Sequence, residues 1–193
     1  MWGCCMIGDD AFLILNSIYL RKMATPAHIS SATGLAPDAV QASLARFAAA
    51  EQILDLAGQV LLQPQGTAAV LAYYRETYGP LRAGDGLAAW YGRFEDLNAQ
   101  FIRLISEWQK SDGDERMQGR AIRVVERLTK ALREIEPAIP RYAGYVRRFE
   151  ASVGLVDQGK RQFMCDPTID SVHNIWFEFH EDILAVLGRP RDT

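Results

Sequence analysis

A chain of 193 residues and 21.6 kDa has room for one large domain or two small ones. With 49% apolar and 23% charged residues it has ordinary globular composition, not that of a disordered chain. The formal net charge is -3, and neither part is basic: residues 1–80 carry 4 basic and 6 acidic side chains, residues 81–193 carry 17 and 18. Phosphate neutralisation, the main source of nonspecific DNA affinity, is therefore not supplied by bulk charge. Cys4 and Cys5 are adjacent and Cys165 is remote, so the three cysteines fit neither a disulfide scaffold nor a zinc knuckle. A reducing, cytoplasmic setting is expected. The mildly apolar start is cut short by Asp9 and Asp10, and neither a signal peptide nor a membrane span is expected.

In chain order, Asp9 or Asp10 is expected to cap a helix over about 11–22, with Phe12, Ile14, Leu15, Ile18 and Leu20 as its apolar content. Thr25-Pro26 reads as N-cap and first residue of a short helix ending near Ala32. Thr33-Gly34 supplies a turn, and Pro37 opens a third helix, about 37–50, with Val40, Leu44 and Phe47 at helical spacing. Ile53 to Leu56, a turn at Gly58, and Val60 to Leu62 predict a hairpin. Thr67 is expected to cap a helix running to about Tyr78.

The order helix, helix-turn-helix, hairpin, helix over residues 10–78 resembles the winged helix domains of MarR-like bacterial transcriptional regulators. The resemblance implies that the helix over 37–50 enters the major groove of double-stranded DNA, and that the protein is a homodimer. It makes Asp38, Gln41, Ser43 and Arg46 the exposed DNA-facing candidates, with Arg21 and Lys22 for the backbone. Only Arg46 is basic among the first four, and the wing turn Ala57-Gly58-Gln59 has no Arg or Lys. A protein-docking or dimerising role for the same module is the competing expectation.

Pro80 and Gly84-Asp85-Gly86 mark a hinge, which places an all-helical domain at 81–193 after a winged helix domain at 1–80. Trp90, Phe94, Leu97, Phe101, Leu104 and Trp108 step by four and three along a helix over 87–109. After the polar loop 111–115, a helix over 118–136 carries Ala121, Val125, Leu128, Leu132 and Ile135. Its other face holds Arg120, Arg123, Arg127, Lys130 and Arg133 interleaved with Glu126 and Glu134, the pattern of a solvated face. Tyr142, Tyr145, Phe149, Val153 and Val156 give a third helix ended by Gly159. The last is expected to start at Asp166-Pro167-Thr168 and to reach Leu187, with Val172, Trp176, Phe179, Ile183 and Val186 as its stripe. The fold class is mainly α: a winged helix-turn-helix followed by an antiparallel helical bundle.

The stretch 165–193 concentrates aromatics, acids and two of the three histidines. Cys165, Asp170, His173, Trp176, Phe177 and His180 are its candidates for a pocket or partner surface. His173 and His180 are seven residues apart, about 10.5 Å along a helix axis, which is too far to share one metal ion. No metal, cofactor or catalytic residue is expected: the chain has no nucleotide loop, no dinucleotide fingerprint and no nucleophile elbow. This segment is similar to the ends of small proteins associated with phosphoenolpyruvate-utilising enzymes of the dikinase type, which implies an accessory subunit docking on an enzyme partner. An enzyme in its own right, with chemistry at His173, His180 or Cys165, is the third reading.

Overall fold

The computed structural model describes residues 7–111 and 113–190, so Cys4 and Cys5 lie outside the described residues. It is mainly helical, with a small antiparallel sheet among the first helices and a helical bundle after them. Two compact units are present. One holds the residues up to Pro80 together with those from His180 onward, and the other spans Leu81–Phe179. The end of the last helix thus belongs with the winged helix, whereas the sequence placed it in the second domain.

In the first unit, helix α1 (Asp9–Arg21) buries Phe12, Ile14, Leu15, Ile18 and Leu20. It begins two residues before the predicted start, with Gly8 at the N-cap and no side-chain cap. The carboxylate of Asp9 instead accepts a hydrogen bond from the Tyr73 hydroxyl at 2.8 Å. Strand β1 (Met23–Ala24) was not predicted; two residues carry too little periodicity to read. Helix α2 (Pro26–Thr33) is capped by Thr25, whose hydroxyl accepts from the His28 N–H at 3.2 Å. Gly34 closes it in the left-handed region, φ 76°, where a side chain would be strained. Helix α3 (Pro37–Ala49) then buries Val40, Ser43, Leu44 and Phe47.

Strands β2 (Ile53–Leu56) and β3 (Gln59–Leu62) form the wing, and β3 lies between β1 and β2. Paired residues in an antiparallel ladder share a face. Ala24, Val60 and Asp55 are one cross-strand row, and Met23, Leu61 and Leu54 are the row on the opposite face. Ala24, Val60 and Ile53 are buried, so the first face is the inner one.

Helix α4 (Pro64–Arg82) starts three residues before the predicted cap at Thr67. Pro64 suits the first turn because its missing N–H would be unpaired there anyway. The Thr67 N–H is bonded within the helix to the Gln63 carbonyl at 3.0 Å. The helix also runs past Tyr78 and through Pro80, so the predicted hinge narrows to 83–84. Tyr73 stacks on Phe12 with centroids 3.8 Å apart, and Tyr74 meets the same ring edge-on. The buried Tyr74 hydroxyl lies 2.8 Å from Asn16 Oδ1 and 2.9 Å from Asp182 Oδ1. Asp182 has no exposed surface, and this junction gives it a partner inside the first unit.

Gly66 is buried in the first turn of α4, where an added Cβ would sit 2.2 Å from the Gln52 carbonyl oxygen. That oxygen accepts from the Gln63 N–H and is fixed by the turn that joins the sheet to α4. Gly66→Ala is therefore expected to lower stability by about 1–3 kcal/mol, the usual cost of overpacking, as read from urea unfolding.

The second unit is built on α5 (Asp85–Lys110), α6 (Glu115–Ile135), α7 (Ala143–Asp157) and the first half of α9 (Val172–Leu187). The Asp114 carboxylate caps α6 by accepting from the Met117 N–H at 2.9 Å. A 3-10 turn at Pro140–Tyr142 leads into α7. The apolar stripes expected for α5, α6 and α9 are buried, apart from the half-buried Trp108. Phe179 is the hub of the unit, with Trp90, Phe94, Tyr142 and Tyr145 edge-on at 5.1–6.0 Å.

The last helix starts at Val172, not at the expected Asp166. A short helix α8 (Gln162–Cys165) comes first, then a turn in which Asp166 accepts from the Thr168 N–H and hydroxyl at 2.8 and 2.6 Å. The cap on α9 is Ser171, which accepts from the Asn174 N–H at 3.3 Å. The Asn174 side chain donates to the carbonyls of Asp166 and Ile169 at 3.0 and 2.8 Å, which holds the turn. Among the described residues, no helix is long and apolar enough to cross a membrane.

Candidate functional site

On α3 the side chains of Asp38, Gln41, Ala42, Ala45, Arg46 and Ala49 are exposed. Ser43, expected among them, is buried: at 100° per residue it turns with Val40 and Phe47 toward the core. Its hydroxyl accepts from the Arg46 guanidinium at 3.0 Å, which draws the one basic side chain of this helix back along its own surface. What remains outward is largely alanine, flanked by Asp38 and Gln41. In the wing, Asp55 accepts from the Gly58 N–H at 2.8 Å, so a carboxylate sits at the turn where a groove-reading cation would be expected. Residues 37–62 contain Asp38, Glu51 and Asp55 against Arg46, a formal charge of -2. The outer face of the sheet is apolar, with Met23, Leu54 and Leu56 exposed by 42%, 44% and 48%. Of the backbone candidates, Arg21 is half-buried, and the exposed Lys22 lies with its ammonium 5.0 Å from the centre of the Tyr19 ring.

In the second unit the sequence candidates separate by environment. Asp170 accepts a two-pronged hydrogen bond from Arg148, Nε to Oδ2 at 3.0 Å and Nη2 to Oδ1 at 3.1 Å. Arg148 also reaches Glu178 at 2.7 Å, and the side chains of Arg148 and Glu178 are 8% and 5% exposed. Burial works against the guanidinium charge, but Glu178 and then Asp170 outweigh it, so Arg148 is held protonated more firmly than an ordinary arginine. The Ser152 hydroxyl donates to the Asp170 carbonyl at 2.5 Å and fixes the segment further. Sequence reasoning missed this network. The available signal was position: Arg148 follows Tyr145 by three and precedes Ser152 by four, on the buried face of α7.

Trp176 is buried, stacked on Phe101 at 3.9 Å, and its indole N–H donates to Asn98 Oδ1 at 2.8 Å. It is a core residue, not a pocket wall. His173 is half-buried near the edge of the same ring system, 6.5 Å from Phe101, and burial lowers its pKa. Phe177 is 38% exposed. His180 falls in the first unit, so His173 and His180 belong to different units. Among the described residues, no three His, Cys, Asp or Glu side chains gather closely enough to hold a metal ion.

Burial pushes the Cys165 thiol up to about 11. A shift of that size from 9.0 leaves about a hundredfold less thiolate at neutral pH, and the thiolate is the reactive form. In a Cys4→Ser, Cys5→Ser chain, alkylation of Cys165 by iodoacetamide at pH 7.5 is expected to be about a hundred times slower in the folded protein than in urea. Equal rates would return Cys165 to the list of reactive candidates.

The architecture of the first helices and sheet is winged helix-turn-helix-like. No protein-family model matches the chain, and no curated protein or solved structure is significantly similar to it.

Proposed function

We propose that this protein is an accessory regulatory component in which the winged helix is a docking module for a protein partner. One observation carries the reading: the faces that would meet DNA are alanine-rich, apolar and formally negative. A duplex carries one negative charge per about 1.7 Å of axis, and affinity for it follows the number of phosphates neutralised. Residues 37–62 offer one arginine, and its guanidinium is hydrogen-bonded to Ser43. An apolar sheet face and an alanine helix face instead suit a protein surface, since small side chains let another backbone approach closely. The partner we favour is an enzyme subunit of the phosphotransfer type suggested by the C-terminal segment.

A second reading is supported by the element order itself, together with the exposed Gln41 and Arg46: a homodimeric, cytoplasmic DNA-binding regulator. Purification from the native cells at low salt, followed by fluorescence anisotropy with duplex DNA, separates the two. Docking predicts a stoichiometric enzyme partner that is lost on Leu54→Glu with Leu56→Glu while the helical content is kept, and no salt-sensitive DNA affinity. DNA binding that weakens with salt and disappears in Arg46→Ala would overturn it in favour of the regulator.

A further inference from the structure

We propose that the groove between α5 and α6 is a binding site for a small phosphate-bearing anion. The groove has a volume of about 270 Å³ and is lined by Gln100, Arg103, Leu104, Arg120, Arg123, Val124 and Arg127. Four of these seven side chains are guanidinium groups, and no carboxylate lines it, in a chain whose net charge is -3. The floor is apolar, since Leu104 and Val124 are 3% and 4% exposed.

The sequence pattern, with Glu126 and Glu134 interleaved, reads as a solvated basic face of α6. The structure distributes those charges differently. Glu134 pairs with Arg93 of α5 at 3.2 Å, and Arg133 pairs with Glu150 of α7. Both pairs lie outside the groove lining. Arg120, Arg123 and Arg127 form no ion pair with any described residue. Arg127 is oriented by a hydrogen bond to Gln100 Oε1 at 3.0 Å, and Arg120 rests against Met117 Sδ at 3.7 Å. Arg103 meets Glu107 only at 4.0 Å.

Positions 120, 123 and 127 step by three and four, so they share one helix face, and Arg103 approaches them from the neighbouring helix. Like charges concentrated in this way repel one another until a counter-charge arrives, and planar guanidinium forks match phosphate oxygens two at a time. The volume lies near the lower end for ligand sites, which suits a diphosphate or a small phosphorylated metabolite over a larger cofactor. The concave form and apolar floor favour such a compact anion over a polymer backbone. The site lies wholly in the second unit and is independent of the docking reading.

Titration calorimetry of the full chain with inorganic pyrophosphate tests this, with potassium chloride at equal ionic strength as the blank. Saturable binding is expected. Arg123→Gln with Arg127→Gln should weaken it at least tenfold, as loss of charge-assisted hydrogen bonds requires. Arg133→Gln, on the same helix but outside the groove, should leave it unchanged. These arginines are surface side chains, and an unchanged circular dichroism melt would show that the variants fold. No heat beyond the chloride blank, or equal weakening by Arg133→Gln, would overturn the proposal. So would binding of an oligonucleotide but not of pyrophosphate, which would reassign the groove to a nucleic acid.

Discussion

Replacing Arg148 with alanine is expected to destabilise the protein by about 3–5 kcal/mol, read as a shift in the urea midpoint at pH 7. The Arg148 side chain is 8% exposed, and its carboxylate partners Asp170 and Glu178 are 19% and 5% exposed. Removing the guanidinium leaves two acids facing each other with little water to replace it, and uncompensated buried charge is among the most costly defects a fold can carry. Arg148→Lys keeps the charge but loses the planar fork that spans both oxygens of Asp170, so a smaller loss is expected. Arg148→Met combined with Asp170→Asn and Glu178→Gln should recover much of the stability, because the triple variant removes the charges along with their attraction. Stability of Arg148→Ala equal to the parent's would show that this network contributes nothing to the fold.

Trp176→Ala is the second large effect, about 3–5 kcal/mol by the same measurement. The indole is stacked on Phe101 at 3.9 Å and touches Phe94 and Phe149 at 5.9 and 6.1 Å. Its removal opens a void bounded by three rings, and rings fixed on two packed helices, α5 and α7, cannot collapse fully into it. It also leaves Asn98 Oδ1 without its indole donor. Trp176→Phe retains most of the stacking while losing the hydrogen bond and some volume, so its cost should be clearly smaller, about 1–3 kcal/mol. A loss on Trp176→Phe equal to that of alanine would mean that the hydrogen bond, not the packing, dominates this position.

The two residues illustrate why the candidate list read from the sequence only partly coincides with the site. Trp176 stood out as an aromatic in an unusual segment, and it proved to be core because it lies on the α9 stripe with Val172 and Phe179. Arg148 did not stand out, although α7 turns it inward while its neighbour Arg147 stays exposed. On α3, helical phase separates Ser43 from Gln41 and Arg46. The same phase calculation was possible in the sequence, but the list was drawn from polarity, and a serine is polar wherever it points. The alanines at 42, 45 and 49 were overlooked for the converse reason: small apolar residues read as neutral filler, yet their exposure gives the outer face of α3 its character.

The sequence by itself determined the order of the elements, the helix-turn-helix and hairpin of the first unit, and which face of each bundle helix is apolar. Those features follow from local causes: the 3.6-residue and two-residue periods, the Thr25 cap, and the left-handed turn at Gly34. Only the tertiary structure decided how charged and polar side chains are shared out. Asp170 finds Arg148 at a separation of 22 residues, Trp176 finds Asn98 at 78, and Tyr74 finds Asp182 at 108. The same holds for the charges of α6: Glu134 pairs with Arg93 of α5 and Arg133 with Glu150 of α7, and the groove keeps its positive lining. Periodicity states which side of an element avoids water; Coulomb attraction and hydrogen bonding act through space, between residues that the chain brings together only when it folds.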